Sequence, residues 1–159
     1  MKEIFPIFVF LFKTMKTKHE QSEVKSVLEE LPEISSDAKV VSYLSNNSID
    51  WRYIKILKER TEFNDEVLSK WLDISVRTFR NYKYPKTIIK NNIKERVLVL
   101  LSLINQGIKV FGSKEEFDAW VCKPNFFFDN KSPNSFFTSI AGMRFVYDRL
   151  IAMEYGDNV

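Results

Sequence analysis

The sequence predicts an all-α protein, and three observations carry that expectation. Only four glycines and five prolines punctuate 159 residues, whereas a β-sandwich or barrel needs a turn signal every ~8–12 residues. Apolar side chains recur at steps of three and four along most of the chain, the spacing that lines one face of a helix. Helix start and stop residues stand where those stripes begin and end. With 45% hydrophobic residues, 14 phenylalanines and three tryptophans, the chain has enough apolar surface to bury a core, which excludes general disorder.

The first apolar run, Ile4 to Phe12, is nine residues long and interrupted by Pro6. A membrane helix needs about 20 residues, so this run is too short to cross. Lys13-Thr-Met-Lys-Thr-Lys follows it where a secretory signal would place small residues. Two readings of the segment stay open: a flexible or packed tail, or a stretch upstream of a translation start at Met15.

Val24, Val27, Leu28 and Leu31 then predict a short amphipathic helix, stopped by Pro32. Ser35 to Ser48 is rich in serine and asparagine but holds Val40, Val41, Tyr43 and Leu44, which fits either a helical turn or a loosely packed connection. From Asp50 the pattern sharpens. Trp51, Ile54 and Leu57 mark one helix, and Asn64 is placed to cap a second that carries Val67, Leu68, Trp71 and Leu72. Asp73 tolerates a left-handed turn, Ser75 is placed to cap a third helix through Tyr82, and Pro85 ends it.

The run Lys94 to Gln106 is apolar nearly all round, as a buried helix is, and Gly107 is expected to close it. Ser113-Lys-Glu-Glu116 is a capping box that opens a helix bearing Phe117, Trp120 and Val121. Pro124 and Asn125 break the run, and Ser132-Pro133 opens a short helix with proline at its first position. Met143, Val146, Leu150 and Met153 after Gly142 form the stripe of a last helix ending near Gly156. No long repeat recurs. The expected division is a tail over 1–22, a helical linker over 23–49, a helix-turn-helix region over 50–92 and a helical domain over 93–159.

The net charge is only +3, yet its distribution is uneven. Ser75 to Lys94 holds six basic residues and no acidic one, while Ser113 to Val159 holds seven acidic against five basic. A basic stripe suits a polyanion, and an acidic, aromatic-rich end suits a protein partner. A single cysteine, Cys122, excludes an intramolecular disulfide and fits a reducing, cytoplasmic compartment; it reads as a packed small side chain. The lone His19 supports neither a metal cluster nor a Ser/His/Asp arrangement, and Asp118, Asp129, Asp148 and Glu154 are scattered rather than paired. No catalytic residue, metal or cofactor is therefore expected.

Glu66 to Tyr82 has the form of a helix-turn-helix, with apolar anchors at Val76, Phe79 and Tyr82. Ser75, Arg77, Thr78, Arg80, Asn81 and Lys83 are its candidate DNA-binding residues. Arginine can grip guanine, asparagine can read adenine, and lysine can neutralise phosphate. The plainer alternative is a solvated basic face on a structural helix.

A second constellation joins Phe111-Gly112, Glu115, Trp120, Pro124-Asn125, Pro133, Phe136-Phe137, Ser139 with Gly142, and Glu154-Tyr155-Gly156. In this spacing, Val110 to Gly156 resembles the toxin-binding domain of the Xre/MbcA/ParS family of type II antitoxins, which pair with RES-domain toxins. The preceding helix pair is similar to the family's Xre-type portion at Ile74-Ser75-Val76-Arg77-Thr78. Two departures stand out. Phe126-Phe127-Phe128-Asp129-Asn130 replaces a leucine and glycines after Pro-Asn, and Asp73 replaces a turn glycine.

The resemblance implies a homodimer that binds an NAD-consuming RES toxin, obstructs its active site with the C-terminal region, and represses its own operon at operator DNA. On that reading Phe111, Trp120, Pro124, Asn125, Phe136, Phe137, Glu154, Tyr155 and Gly156 are candidate toxin-binding residues. Apolar residues at helical spacing mostly bury, so Phe117, Trp120, Phe136, Val146 and Leu150 are expected first as core. Glu154-Tyr155-Gly156 lies beyond the last core position and is the better contact candidate. The competing reading is a stand-alone helix-turn-helix regulator without a toxin partner.

Overall fold

A computed structural model describes residues 18–156. The Ile4 to Phe12 run and Met15 lie outside the described residues. The chain divides into two units between Leu31 and Pro32. In the first, residues 18–30 form helix α1, with Val24, Val27 and Leu28 half-buried and an exposed Lys25–Glu29 pair at 3.7 Å one turn apart.

The second unit begins with α2 (Asp37–Asn46), where Ser36 Oγ accepts from Lys39 N. The serine-rich stretch is therefore a full helix, longer than the single turn its local sequence suggests. Buried Tyr43 supplies a reason, because its hydroxyl meets that of Tyr53 in the next helix at 2.9 Å. A distant partner satisfies a polar group that local propensity leaves undecided. Helix α3 (Trp51–Glu59) starts at Asp50, whose carboxylate accepts from Arg52 N. Asn64 caps α4 (Asp65–Trp71), and Ser75 caps α5 (Val76–Tyr82). Between them Asp73 takes the left-handed conformation, φ 57°.

Helix α6 (Asn91–Phe111) is the centre of the unit, with Val97 to Leu101, Leu103 and Ile104 all buried. Helices α2, α3, α7 (Lys114–Val121) and α8 (Ile140–Glu154) all pack against it, while α4 pairs with α5. Gly107 does not close this helix. The helix runs on to Phe111 and stops at Gly112, whose φ of 85° gives the left-handed cap. Gly107 instead makes room: a Cβ there would fall inside the Phe117 ring. The closest approach of α7 to α6 thus depends on a missing side chain.

Two 3-10 turns, Phe126–Phe128 and Pro133–Phe136, link α7 to α8. The last helix starts at Ile140, ahead of Gly142, because Ser139 Oγ accepts from Gly142 N at 3.0 Å. Among the described residues there is no strand, only an isolated bridge between Asn125 and Lys131. Cys122 is exposed rather than packed: it caps α7 one residue beyond the fully buried Val121 and lies on the solvent side of the helix end. No single helix among the described residues is long and apolar enough to cross a membrane.

Candidate functional site

The residues expected to meet DNA all gather on α5 and its two caps, but they are not equally available. Ser75 Oγ accepts from Thr78 N at 3.1 Å, and its hydroxyl meets Thr78 Oγ1 at 2.8 Å. Those two side chains hold the helix start. Arg80 donates to Asp65 at 3.2 Å and to Glu66 at 3.1 Å. Lys83 Nζ donates to both Asp65 oxygens at 2.9 and 3.0 Å and lies over the Phe79 ring. Lys58 of α3 approaches the same carboxylate at 3.5 Å.

Lys83 first, then Arg80, holds the Asp65 carboxyl below its ordinary range against the opposing effect of burial. The acids also lie in the first turn of α4, where the helix dipole favours negative charge. Arg77 and Asn81 differ. Both are exposed and sit one turn apart on the helix, and Arg77 has no ion-pair partner among the described residues. The α4–α5 surface can therefore offer a guanidinium and an amide to a base edge, while Arg80 and Lys83 bind the two helices together.

The residues expected to meet a toxin fall into three places. Phe111 and Trp120 are half-buried in one aromatic stack with Phe117, at centroid distances of 5.1 to 6.2 Å. Trp120 continues edge-on to Phe128. Phe136 joins Phe128 and Phe145 at about the same spacing, 5.5 Å to each. Phe137 is fully buried and meets Trp71 of α4 edge-on at 4.9 Å, so it offers no side-chain surface. Pro124 is exposed, and Asn125 shapes the turn that follows, its Oδ1 accepting from Phe127 N at 3.0 Å.

The third place is the end of α8. Glu154 accepts from Gln106 Nε2 at 2.6 Å and pairs with Lys109 Nζ at 2.6 Å, both on α6. Lys109 first, and Gln106 after it, holds the Glu154 carboxyl below its usual range. Its charge is thus used to fasten the helix end. Tyr155 beyond it is 85% exposed, and Gly156 takes φ 91°. What remains free at this end is a phenol on a pinned helix terminus, a group suited to anchoring an interface.

Sequence reasoning missed Phe145 and Arg149 and treated Phe126 and Phe127 only as departures. A signal was present. A 3-10 turn has about three residues per turn, so three successive phenylalanines cannot all point inward. Here Phe128 is buried while Phe126 and Phe127 are exposed.

Among known proteins, residues 106–156 match the family described as the antitoxin Xre/MbcA/ParS C-terminal toxin-binding domain. A chain from the crystal structure of the M. tuberculosis MbcT-MbcA toxin-antitoxin complex is similar in fold, with a TM-score of 0.58 at 17% identity. The match covers 69% of this chain and 96% of that one. Comparison with curated proteins gives no match. The matched residues include the end of α6, α7, both 3-10 turns and α8, the same region that carries the aromatic stack and the Glu154–Lys109 fastening. Residues 106–156 thus resemble the antitoxin Xre/MbcA/ParS C-terminal toxin-binding domain.

Proposed function

We propose that this chain is the antitoxin of a type II toxin–antitoxin pair. It binds a RES-domain, NAD-consuming toxin through residues 93–159, and it represses its own operon through the helix pair within residues 50–92. It works as a cytoplasmic homodimer. The observation that carries this reading is the family match over residues 106–156. The exposed Tyr155 at the end of the matched region supports it. Inhibition of this kind needs a desolvated patch and steric exclusion rather than chemistry, so the protein requires no acid, base or nucleophile of its own.

The test is co-expression with the adjacent reading frame, followed by co-purification and an assay of NAD loss. Removal of Glu154 to Val159 is expected to leave a folded chain, because the last core residue, Leu150, lies upstream. That chain should no longer rescue growth in cells expressing the toxin. Full rescue would place the inhibitory surface elsewhere, and a wild-type chain that leaves the toxin active at molar excess would end the antitoxin reading.

For the DNA-binding part, the exposed pair Arg77 and Asn81 supports direct contact with base edges. A symmetric dimer would then meet paired half-sites about one helical turn apart.

A further inference from the structure

The turn after α7 directs its aromatic side chains in opposite senses. Phe128 enters the core, whereas Phe126 is 81% exposed and Phe127 41%. The turn is held in that shape from within. Asn125 N donates to Lys131 O, Asn130 N donates back to Asn125 O, and Asp129 and Asn130 are consecutive left-handed residues at φ 53° and 58°. Non-glycine residues persist in that conformation only where their surroundings enforce it.

Beside this turn, α8 contributes Phe145, 49% exposed, and one turn later Arg149. The Arg149 guanidinium carbon lies 3.7 Å from the Phe127 ring centroid. Its Nε and Nη2 are shut off from solvent and find no acceptor among the described residues. Guanidinium remains charged at any ordinary pH, and shielded donors without acceptors are unfavourable. The patch is thus two things at once: an aromatic surface facing water, and a cation whose hydrogen bonds are incomplete.

We infer that Phe126, Phe127, Phe145 and Arg149 form a docking spot for the toxin, with Phe126 entering an apolar recess and an acidic toxin group attracted by the guanidinium charge of Arg149. This rests on the antitoxin reading above and names the chemistry of its contact. The patch lies within residues 106–156, the segment that matches a toxin-binding domain, and this favours the toxin as its occupant. A partner with an acidic group beside an apolar recess is complementary to both the rings and the guanidinium charge. Aromatic and arginine side chains are also the types that dominate binding energy at protein interfaces.

The experiment uses the full chain and a purified RES-domain enzyme that co-purifies with it, with affinity measured by calorimetry. Phe126→Ser is expected to weaken binding at least tenfold with an unchanged Tm, since the side chain stands in solvent. Arg149→Gln is expected to weaken it at least tenfold and to flatten its salt dependence, and Arg149→Lys to recover part of that loss. Affinities within twofold of wild type for both Phe126→Ser and Arg149→Gln would overturn the docking spot. If the chain lacking Glu154 to Val159 still failed to neutralise, the antitoxin reading would then stand without it. A wild-type chain that does not bind the enzyme overturns both. Loss of self-association in Phe126→Ser with toxin affinity intact would assign the patch to a second copy and overturn the proposal equally.

Discussion

In the α4–α5 pair, Arg80 and Lys83, joined by Lys58 of α3, converge on Asp65, so two cations expected to meet an outside partner are engaged within the protein. Around the Phe126–Phe128 turn the reverse holds: Phe126, Phe127 and Phe145 face solvent although their type belongs in a core. The lesson is that side-chain chemistry does not by itself say which way a residue faces. A surface charge is engaged within the protein when an opposite charge lies within reach on the adjoining helix. An aromatic turns outward when a tight turn has more rings than inward directions.

The largest expected effect comes from the residue that joins the two regions. Trp71 ends α4 and packs edge-on against Phe63 at 4.7 Å and Phe137 at 4.9 Å. Trp71→Ala is expected to cost about 3–5 kcal/mol, the usual range for an aromatic deleted from a core, read as a shift in urea midpoint. A loss confined to the α4–α5 pair, with α8 still protected from amide exchange, would show the regions to be independent.

Next is Gly107→Ala, where the new methyl meets the Phe117 ring. Overpacking of this kind costs about 1–3 kcal/mol. Phe117→Leu, which gives up ring volume at the contact, is expected to recover part of that loss in the double variant. Additive losses would mean that α6 relaxes around the methyl without involving α7.

The DNA-facing comparison is sharper. If Arg77 reads a base, Arg77→Ala weakens operator binding by about 1–3 kcal/mol in a gel-shift titration. Arg80→Ala is expected to act mainly on stability, since its guanidinium already serves Asp65 and Glu66. Equal losses of DNA affinity from the two variants would show that the internal pairs open when DNA arrives.

The smallest effect belongs to Asp65→Asn, at roughly 1 kcal/mol or less for a partly exposed ion-pair network. Its pH dependence carries the information. Because Lys83 and Arg80 depress the folded-state pKa of Asp65, its contribution is present above the ordinary carboxylate range near pH ~4 and is lost as pH falls through the depressed value. Asp65→Asn should flatten acid unfolding in that window. An unchanged profile would assign the acid sensitivity to other carboxylates.

Much of the architecture is legible in the order of residues. Caps at Asn64, Ser75 and Ser113, the left-handed Asp73 and the Pro133 helix start all stand where local rules place them. Each is settled by a side chain and a backbone within four residues of one another, so no distant information is needed. The family resemblance over the last third is legible for a similar reason, since its spaced Trp, Pro-Asn and Glu-Tyr-Gly positions can be read one by one.

Other features were decided only by tertiary contact. Gly107 has the local form of a helix stop, but the Phe117 ring needs its vacant Cβ position and the helix continues through it. The stretch over Asp37–Asn46 is ambiguous until Tyr43 finds Tyr53. Glu154 and Arg80 look free in sequence and are held by Lys109 and Asp65 from other helices. Spacing along a chain determines which face of a helix a residue occupies; what lies opposite that face comes from elements tens of residues away, and those neighbours decide whether the group is anchor, core or contact.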